Sequence, residues 1–497
     1  MELLDFVIRQ TDKYIDSIPR AERKKYGQFF TSIETAAFMA SLFDIPKNKD
    51  TLRILDTGAG TGILSAALIQ RLESVSSLKK IYLVCYENDC QVIEILRQNL
   101  DWIRTHSSIQ VDYEIRDNNY ILEQEKEYNS TCETDLNPKK YDMVIGNPPY
   151  MKIGKNAPEA KAMPDVCYGA PNLYFLFIAM GVFNLFQEGE LVYIVPRSWT
   201  SGTYFKRFRK KILSMSALKH IHLFVSRNKV FDRDNVLQET IIIKLKKSYE
   251  RPKYITVTTT QNNKDFSKRT IFKAPYNIVI SGEEAYVYLV TNEDDVSILE
   301  KVDKLSNTLP SIGLKMRTGL TVDFRHKDEL RDNEEKDAVP LFYPQHIQFG
   351  KILFPIGKAK EYIITDKTSL LQTNSNYLFV KRFTTKEERR RLQCGVYLSK
   401  NFPSYKEIST QNKINFISGL TELSEELVYG LYVIFNSTIY DRYYRILNGS
   451  TQVNSTEINS IPIPSRDVIE QLGVKIIKLQ DMSERCCDNV LMEFFYE

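Results

Sequence analysis

The sequence predicts a doubly wound α/β fold, in which helices cover both faces of a mostly parallel sheet, followed by an irregular α+β region. Three observations indicate this class. Strand-like and helix-like segments alternate between residues 50 and 245, a glycine-rich turn follows the first strand, and the alternation is lost after about residue 250. Because 497 residues are too many for one ordinary core, we expect two domains, residues 1–250 and 251–497.

The first domain is predicted to open with a helix at Glu34 to Leu42 and to continue as alternating strands and helices. Apolar runs predict buried strands at Leu52 to Asp56, Ile81 to Tyr86, Tyr141 to Ile145, Leu191 to Val195 and Thr240 to Leu245. A further strand is predicted at the residues VDYEIR, which directly precede Asp117. Helical patterns lie between these strands, at Ile63 to Leu72, Cys90 to Trp102 and Leu173 to Phe186.

The second domain begins with a polar stretch, residues 250–269, which suits a connecting or strand-and-turn region. A short strand is predicted at Tyr377 to Val380, and helices are predicted at Ser424 to Phe435 and Val468 to Leu491. Ser424 is a plausible N-cap, because its hydroxyl can accept a hydrogen bond from a free amide of the first turn.

The net charge of +4 is too small to indicate a nucleic-acid-binding protein by itself. The positive charge is clustered in two runs, each of which we interpret as a solvated helix face. These runs are Lys206, Arg207, Arg209, Lys210 and Lys211, and Lys386, Arg389, Arg390 and Arg391.

The seven cysteines include no CxxC pair, and the five histidines are not placed to complete a metal site. We therefore expect a protein of a reducing, cytosolic compartment that holds no metal. The N-terminus lacks the apolar run of a signal peptide, and no segment has the apolar length that spans a bilayer. A soluble protein without membrane contact is the expectation.

The turn after the first strand carries three glycines, Gly58, Gly60 and Gly62, at the edge where doubly wound sheets bind ligands. Asp56 precedes them, which suits a cationic amino-acid ligand better than a pyrophosphate. Glu87 ends the next strand, where a carboxylate can accept both ribose hydroxyls. Asp117 follows the third, where an adenine amino group can donate to it.

No Lys-Ser or Lys-Thr follows the glycines, so the turn does not match a phosphate-cradling loop. Together the three acids and the glycines favour S-adenosyl-L-methionine, which combines a sulfonium cation, a ribose and an adenine without phosphates. A dinucleotide, or a scaffold that binds no ligand, is the alternative.

The tetrapeptide Asn147-Pro148-Pro149-Tyr150 leaves the strand that begins at Tyr141, downstream of the glycine turn. Its residue types suit methylation of a nucleobase amine, whose lone pair is delocalised into the ring. The Asn147 carbonyl oxygen and the Pro148 main-chain carbonyl can accept the two amine hydrogens, while the prolines hold both acceptors rigidly. Tyr150 offers a flat face for stacking. The alternative is a β-turn in which the prolines only end the strand.

These motifs resemble the amino-group DNA methyltransferases of the gamma arrangement, in the style of the TaqI-like and BsuBI/PstI-type adenine-N6 enzymes of restriction–modification systems. The glycine turn, the acids and the tetrapeptide match in order. The resemblance also covers Tyr26 to Thr31, Asn172 to Phe177, Gly189 to Trp199 and Lys229 to Asp232. It extends over about residues 20 to 245, and beyond them only fragments match, such as Thr318-Gly319 and Ile461 to Pro464. Thr31 is followed by Ser32, where the family commonly has proline.

The resemblance implies roles for further residues. Tyr26 and Thr31 belong to a motif that closes over the methionine part of the cofactor, and Asn147 also borders the cofactor. Phe231 is nominated to pack on a flipped-out target base, with a buried core phenylalanine as the equal alternative. Residues Arg445 to Asn454 are a candidate DNA-contacting loop, with a plain surface loop as the equal alternative.

The resemblance further implies a site-specific methyltransferase that acts on the N6 amine of a flipped adenine in double-stranded DNA. The second domain would then recognise the target sequence. We expect a prokaryotic, cytoplasmic, nucleoid-associated monomer, with a cognate restriction endonuclease encoded separately. The alternatives are N4-cytosine methylation, methylation of RNA or of a protein glutamine, and a DNA-binding subunit without catalysis.

Overall fold

The computed structural model describes residues 2–17, 31–46, 49–130, 140–224, 239–385, 388–448 and 451–496. Its contacts divide the chain into two units, Met1–Glu293 and Asp294–Glu497. The division falls later than the predicted boundary at residue 250, because two strands after that residue, Tyr254–Thr260 and Thr270–Pro275, extend the sheet of the first unit.

The first unit is built on a nine-stranded sheet of order β3-β2-β1-β4-β5-β7-β6-β8-β9. Strands β1 to β5 are mutually parallel, whereas β7 is antiparallel to both of its neighbours and β9 is antiparallel to β8. The predicted mostly parallel sheet is therefore present. The strands are β1 Thr51–Asp56, β2 Lys80–Tyr86, β3 Gln110–Arg116, β4 Tyr141–Gly146, β5 Leu185–Pro196, β6 Ala217–Phe224, β7 Thr240–Lys246, β8 Tyr254–Thr260 and β9 Thr270–Pro275.

Helices lie on both faces of this sheet. They are α1 Leu3–Ser17, α2 Ile33–Ser41, α3 Ile63–Leu72, α4 Cys90–His106, α5 Glu125–Asn129, α6 Pro158–Ala162, α7 Leu173–Asn184, α8 Lys206–Met215 and α9 Tyr276–Val279. One face buries α1 to α4 against side chains such as Ile54 and Leu83. On the other face α7 approaches β5 so closely that a Cβ at Gly181 would lie 2.7 Å from Leu191 Cδ1. A two-stranded ribbon of β10 Ile280–Ser281 and β11 Tyr286–Val287 completes the unit.

The second unit combines two sheets with a group of helices, as the α+β prediction requires. The sheets have the orders β12-β22-β19-β20-β16-β15 and β13-β17-β14-β21-β18. The strands are β12 Leu314–Thr318, β13 Leu330–Arg331, β14 Val339–Phe342, β15 Ile347–Gln348, β16 Lys351–Ile352, β17 Tyr362–Ile363, β18 Gln372–Thr373, β19 Tyr377–Lys381, β20 Cys394–Tyr397, β21 Glu407–Thr410 and β22 Ile414–Gly419. The helices are α10 Glu293–Asp303, α11 Glu425–Phe435, α12 Thr438–Leu447, α13 Ser455–Ser460, α14 Arg466–Leu479 and α15 Glu484–Tyr496.

The C-terminal helices differ from the prediction in one respect. The single helix predicted over Val468 to Leu491 is wrong, because the chain breaks between α14 and α15. Gln480 ends α14 in the left-handed conformation, with φ of 53°. Ser483 then caps α15, since its hydroxyl accepts a hydrogen bond from the Cys486 amide at 3.2 Å. The predicted cap at Ser424 is confirmed: its hydroxyl accepts from the Leu427 amide at 3.1 Å.

The two basic runs are not uniform solvated faces. Arg209 on α8 is fully buried, and its guanidinium donates to the carbonyls of Trp199, Gly202 and Glu284. Arg391 is also fully buried, whereas Lys386 lies outside the described residues. The sequence pattern cannot distinguish these cases, because the folded chain brings acceptors such as the Glu284 carbonyl to the run from far along the sequence. Among the described residues no helix is long and apolar enough to cross a membrane, and no three His, Cys, Asp or Glu side chains form a metal-binding group.

Candidate active site

The glycine turn and the tetrapeptide meet because β1 and β4 are neighbours. Asp56 pairs with Ile145 across the two strands, and the Thr57 amide donates to the Ile145 carbonyl at 3.3 Å. A Cβ added to Gly58 would lie 3.7 Å from the main-chain oxygen of Asn147. The sequence-predicted cofactor loop and catalytic tetrapeptide therefore form adjacent walls of one pocket.

The pocket extends from the end of β4 to the ends of β2 and β3. Its lining includes five of the predicted site residues. They are Gly58 and Gly60 of the glycine turn, the acid Glu87, and Asn147 and Pro149 of the tetrapeptide. The remaining lining residues were not predicted from the sequence. They are Thr57, Tyr86, Asn88, Asn118, Asn119, Tyr120, Leu173 and Phe177.

Glu87 links the loop to the end of β2. One carboxylate oxygen accepts the Gly60 amide at 2.9 Å, and the other accepts the amides of Asn88 and Asp89, each at 3.0 Å. Burial raises the pKa of this carboxyl. A carboxylate has about four acceptor sites, and the three amides occupy three of them, so one site is left to accept a hydroxyl donor from a ligand.

Asp56 does not line the pocket. It is fully buried beneath the turn, where one carboxylate oxygen accepts the Ser65 hydroxyl at 2.8 Å. Burial raises the pKa of Asp56 to about 7. The interpretation that Asp56 faces a cationic ligand is thus replaced by one in which it supports the turn from behind.

Asp117 and Gly62 also lie outside the pocket lining. Asp117 is exposed, and the next two residues, Asn118 and Asn119, line the wall where it was expected. The Asn119 side chain is held in place, because its Oδ1 accepts a hydrogen bond from the Ile121 amide at 3.0 Å. Gly62 begins α3 with φ of 90°, and an added Cβ would lie 3.0 Å from Leu96 Cδ1, so its glycine serves the turn itself.

The Asn147 side chain is held from both ends of its amide. Its nitrogen donates to the Thr31 hydroxyl at 3.3 Å, and its carbonyl oxygen accepts the Tyr150 hydroxyl at 2.9 Å. Tyr150 OH also lies 3.0 Å from the Ile194 carbonyl at the end of β5. These contacts bring Thr31, predicted from the resemblance alone, to the tetrapeptide.

The residue before Asn147 is supported by a contact that sequence reasoning missed. The Thr57 hydroxyl and the Tyr193 hydroxyl are 2.6 Å apart and buried. A Cβ added to Gly146 would lie 2.5 Å from Thr57 Oγ1 and 3.0 Å from Tyr193 Cε1. Any larger residue before Asn147 would therefore force β4, Thr57 or Tyr193 to shift.

Two nominated residues, Tyr26 and Phe231, lie outside the described residues. Their predicted roles, in closing over the cofactor and in packing on the base, stay predictions.

The pocket suits S-adenosyl-L-methionine by the chemistry of its walls. Its described lining residues include one carboxylate and several amides but neither lysine nor arginine. A ligand with phosphates would favour cationic side chains, whereas a ligand with a positive sulfur, a ribose and an adenine needs acceptors and apolar faces. Glu87 would hold a ribose hydroxyl, while Phe177 and Pro149 offer apolar surface near the amides.

Comparison with known proteins agrees with this chemistry. A family model described as Eco57I restriction-modification methylase matches residues 68–231. The type II methyltransferase M.PstI of Providencia stuartii is 34% identical over 466 residues, which cover 91% of this chain and 90% of that protein. The chain belongs to the type II methyltransferases of restriction–modification systems.

A second relative extends the match. The type II methyltransferase M.BsuBI of Bacillus subtilis is 33% identical over 474 residues, covering 92% of this chain and 91% of that protein. The solved structure of the type IIL restriction-modification enzyme MmeI in complex with DNA matches in fold, with a TM-score of 0.54 and 12% identity, over 98% of this chain and 73% of that one. The resemblance, the fold class and the cofactor predicted from the sequence are confirmed: this type II methyltransferase is an S-adenosyl-L-methionine-dependent DNA methyltransferase.

Replacing Glu87 by glutamine is expected to weaken cofactor binding by about 10- to 100-fold, because hydrogen bonds to a charged acceptor contribute about 1.5–3 kcal/mol each. Isothermal titration of S-adenosyl-L-methionine into each variant measures the effect. Glu94→Gln, an exposed position on α4, is the matched control and should bind as the unmodified chain does. Equal affinity of the Glu87 variant would contradict the assigned role.

Proposed function

We propose that this type II methyltransferase transfers the methyl group to the N6 amine of an adenine that has been flipped out of duplex DNA. The observation that carries the proposal is the geometry of Asn147, whose amide is fixed by Thr31 and Tyr150 at the border of the cofactor pocket. The tetrapeptide follows a parallel strand at the carboxyl edge of the sheet, which is where such sheets bind their substrates.

The chain's own residues would activate the amine by position. The carbonyl oxygen of Asn147 and the main-chain oxygen of Pro148 would accept the two amine hydrogens, which draws the nitrogen towards tetrahedral geometry and frees its lone pair. The two prolines restrict the backbone, so both acceptors are held before the substrate arrives. The bound cofactor supplies a methyl group already activated by its positive sulfur. The described residues thus need to orient the amine rather than to deprotonate it first.

Tyr150 is proposed as the stacking face for the base. Its hydroxyl is tied to Asn147 and to the Ile194 carbonyl, and its ring packs edge-on against Tyr174 at a centroid distance of 6.4 Å. Hence the Tyr150 ring and the Asn147 amide are held together. A paired base cannot reach them, since its amine is stacked and hydrogen-bonded in the duplex, so flipping is part of the proposal.

The macromolecular substrate can be tested by incubating the purified chain with methyl-labelled S-adenosyl-L-methionine and, separately, duplex genomic DNA, total RNA and a protein extract. We expect label in DNA alone. The Asn147→Ala variant, assayed in parallel, controls for contaminating methyltransferases. Label that accumulates in RNA or in protein glutamine, with none in DNA, would overturn the proposal.

A further inference from the structure

Five segments of the second unit carry a local excess of positive charge, and together we call them the basic face. The unit as a whole carries 27 Lys and Arg against 28 Asp and Glu, so it has no excess of positive charge. The basic face comprises residues 318–325, 356–360, 381–385, 411–413 and 451–454. It holds six basic side chains and one acidic side chain: Arg325, Lys358, Lys360, Lys381, Arg382 and Lys413, and Asp323.

Main-chain hydrogen bonds fix four of these segments side by side. The Asn412 amide donates to the Thr321 carbonyl at 2.8 Å, and the Arg382 amide donates to the Lys413 carbonyl at 2.9 Å. The Val453 amide in turn donates to the Arg382 carbonyl at 2.7 Å. The charges of the basic face are therefore carried on a connected backbone rather than on independent loops.

The fifth segment, residues 356–360, is held by a buried carboxylate. Glu361 accepts the amides of Ile356 at 3.3 Å and Gly357 at 3.1 Å, and it contacts the buried His346 ring nitrogen at 3.0 Å. Lys358 of this segment interacts electrostatically with Asp323, Glu361 and Lys413. Basic side chains outnumber acidic ones in the five segments, and such a local excess of positive charge favours an anionic partner.

The basic face also exposes aromatic rings beside guanidinium groups. Phe324 is 64% exposed, with the Arg325 guanidinium 5.6 Å from its ring centroid, and Phe383 is 45% exposed, with Arg382 at 5.5 Å. Each guanidinium lies within cation–π distance of the ring beside it. Cations that contact phosphates, alternating with apolar groups that contact bases, are the composition of a DNA-binding surface.

We propose that the basic face is the surface through which the second unit binds duplex DNA. Lys358, Lys360 and Lys413 would contact phosphates, and Phe383 would make an apolar contact in a groove. The inference rests on the proposed function in one respect, that the substrate is DNA. It goes further by naming the residues of the second unit that hold the duplex.

The test uses the dependence of DNA binding on salt. Removing one phosphate-neutralising cation should reduce the slope of log K against log salt by about 0.9, so the triple variant Lys358→Gln, Lys360→Gln, Lys413→Gln should reduce the slope by about 2.7. Binding of the full-length chain to a fluorescent duplex of mixed sequence, measured by anisotropy, gives the slope. The matched control is Lys304→Gln, Lys406→Gln, Lys478→Gln, which removes three exposed lysines of the same unit outside the basic face.

A second variant separates apolar contact from charge. Phe383→Ser should weaken DNA binding while leaving the salt slope unchanged. Phenylalanine neutralises no phosphate, so its removal does not change the number of counterions released on binding. An unchanged slope and affinity in the triple lysine variant, or an equal reduction in its control, would overturn the inference. If the triple lysine variant binds DNA with unchanged slope and affinity and still methylates it as the unmodified chain does, the role of the basic face is refuted but the proposed function is not. A full-length chain that neither binds nor methylates duplex DNA would overturn the proposed function as well.

Discussion

Replacement of Asn147 by alanine is expected to reduce the rate of methyl transfer by about 10²–10³-fold or more, the range seen when one preorganised hydrogen-bonding group is removed from an active site. The change deletes the carbonyl oxygen that would accept an amine hydrogen. It also deletes the amide nitrogen that contacts Thr31 and the acceptor for Tyr150. The measurement is single-turnover transfer of label to DNA at saturating cofactor.

Cofactor affinity should change little in this variant, because the contacts of Glu87 with the Gly60 and Asn88 amides are untouched. Asn147→Asp keeps oxygen acceptors but removes the donor to Thr31. Its rate of methyl transfer should lie between those of the unmodified chain and of Asn147→Ala. Asn401→Ala, at an exposed turn of the second unit, is a control for the substitution itself. Near-normal transfer by Asn147→Ala would refute the amine-positioning mechanism.

Replacement of Gly146 by alanine is expected to lower the free energy of unfolding by about 1–3 kcal/mol, the usual cost of inserting a methyl group into a filled core. The added Cβ would lie 2.5 Å from Thr57 Oγ1, so β4 or the glycine turn must shift. Either shift displaces Asn147, and transfer activity should fall together with stability. Chemical denaturation and the transfer assay measure the two effects.

Gly154→Ala is the matched control, because nothing lies within 4 Å of its added Cβ. The double variant Gly146→Ala, Thr57→Ala removes the atom that is struck first, and it should be more stable than Gly146→Ala alone. Destabilisations that simply add in the double variant would show that the clash with Thr57 is not the cause.

Local pattern was sufficient to predict the elements that lie within one strand or one turn. The helix at Ile63–Leu72 has the predicted bounds, and β1, β2 and β4 differ from prediction by one residue at most at each end. Their apolar runs are long and are interrupted by glycine, proline or charge. The break at Gln480 was missed because a left-handed cap without glycine leaves no strong signal in the sequence.

The position of a site residue was predictable where a motif carries its own chemistry, as for Asn147 and Glu87, which both line the pocket. It was less predictable where the fold decides which side chain faces the ligand. Asp56 and Asp117 are acids at the strand ends where ligand contacts were predicted. Asp56 is nevertheless buried beneath the turn, and Asp117 is exposed outside the pocket lining. The contacts of Thr57 with Tyr193 and of Asn147 with Thr31 join residues more than 100 positions apart, so no local pattern reveals them.

In the proposed mechanism the Asn147 side-chain oxygen and the Pro148 main-chain oxygen direct the methyl group to an adenine amine in DNA. The most direct measurement is digestion of DNA methylated by the purified chain to nucleosides, followed by mass spectrometry of the methylated products. We expect N6-methyldeoxyadenosine, and we expect this product to disappear with Asn147→Ala. Methyl groups found only on the N4 amine of deoxycytidine, or at a ring carbon, would contradict the claim.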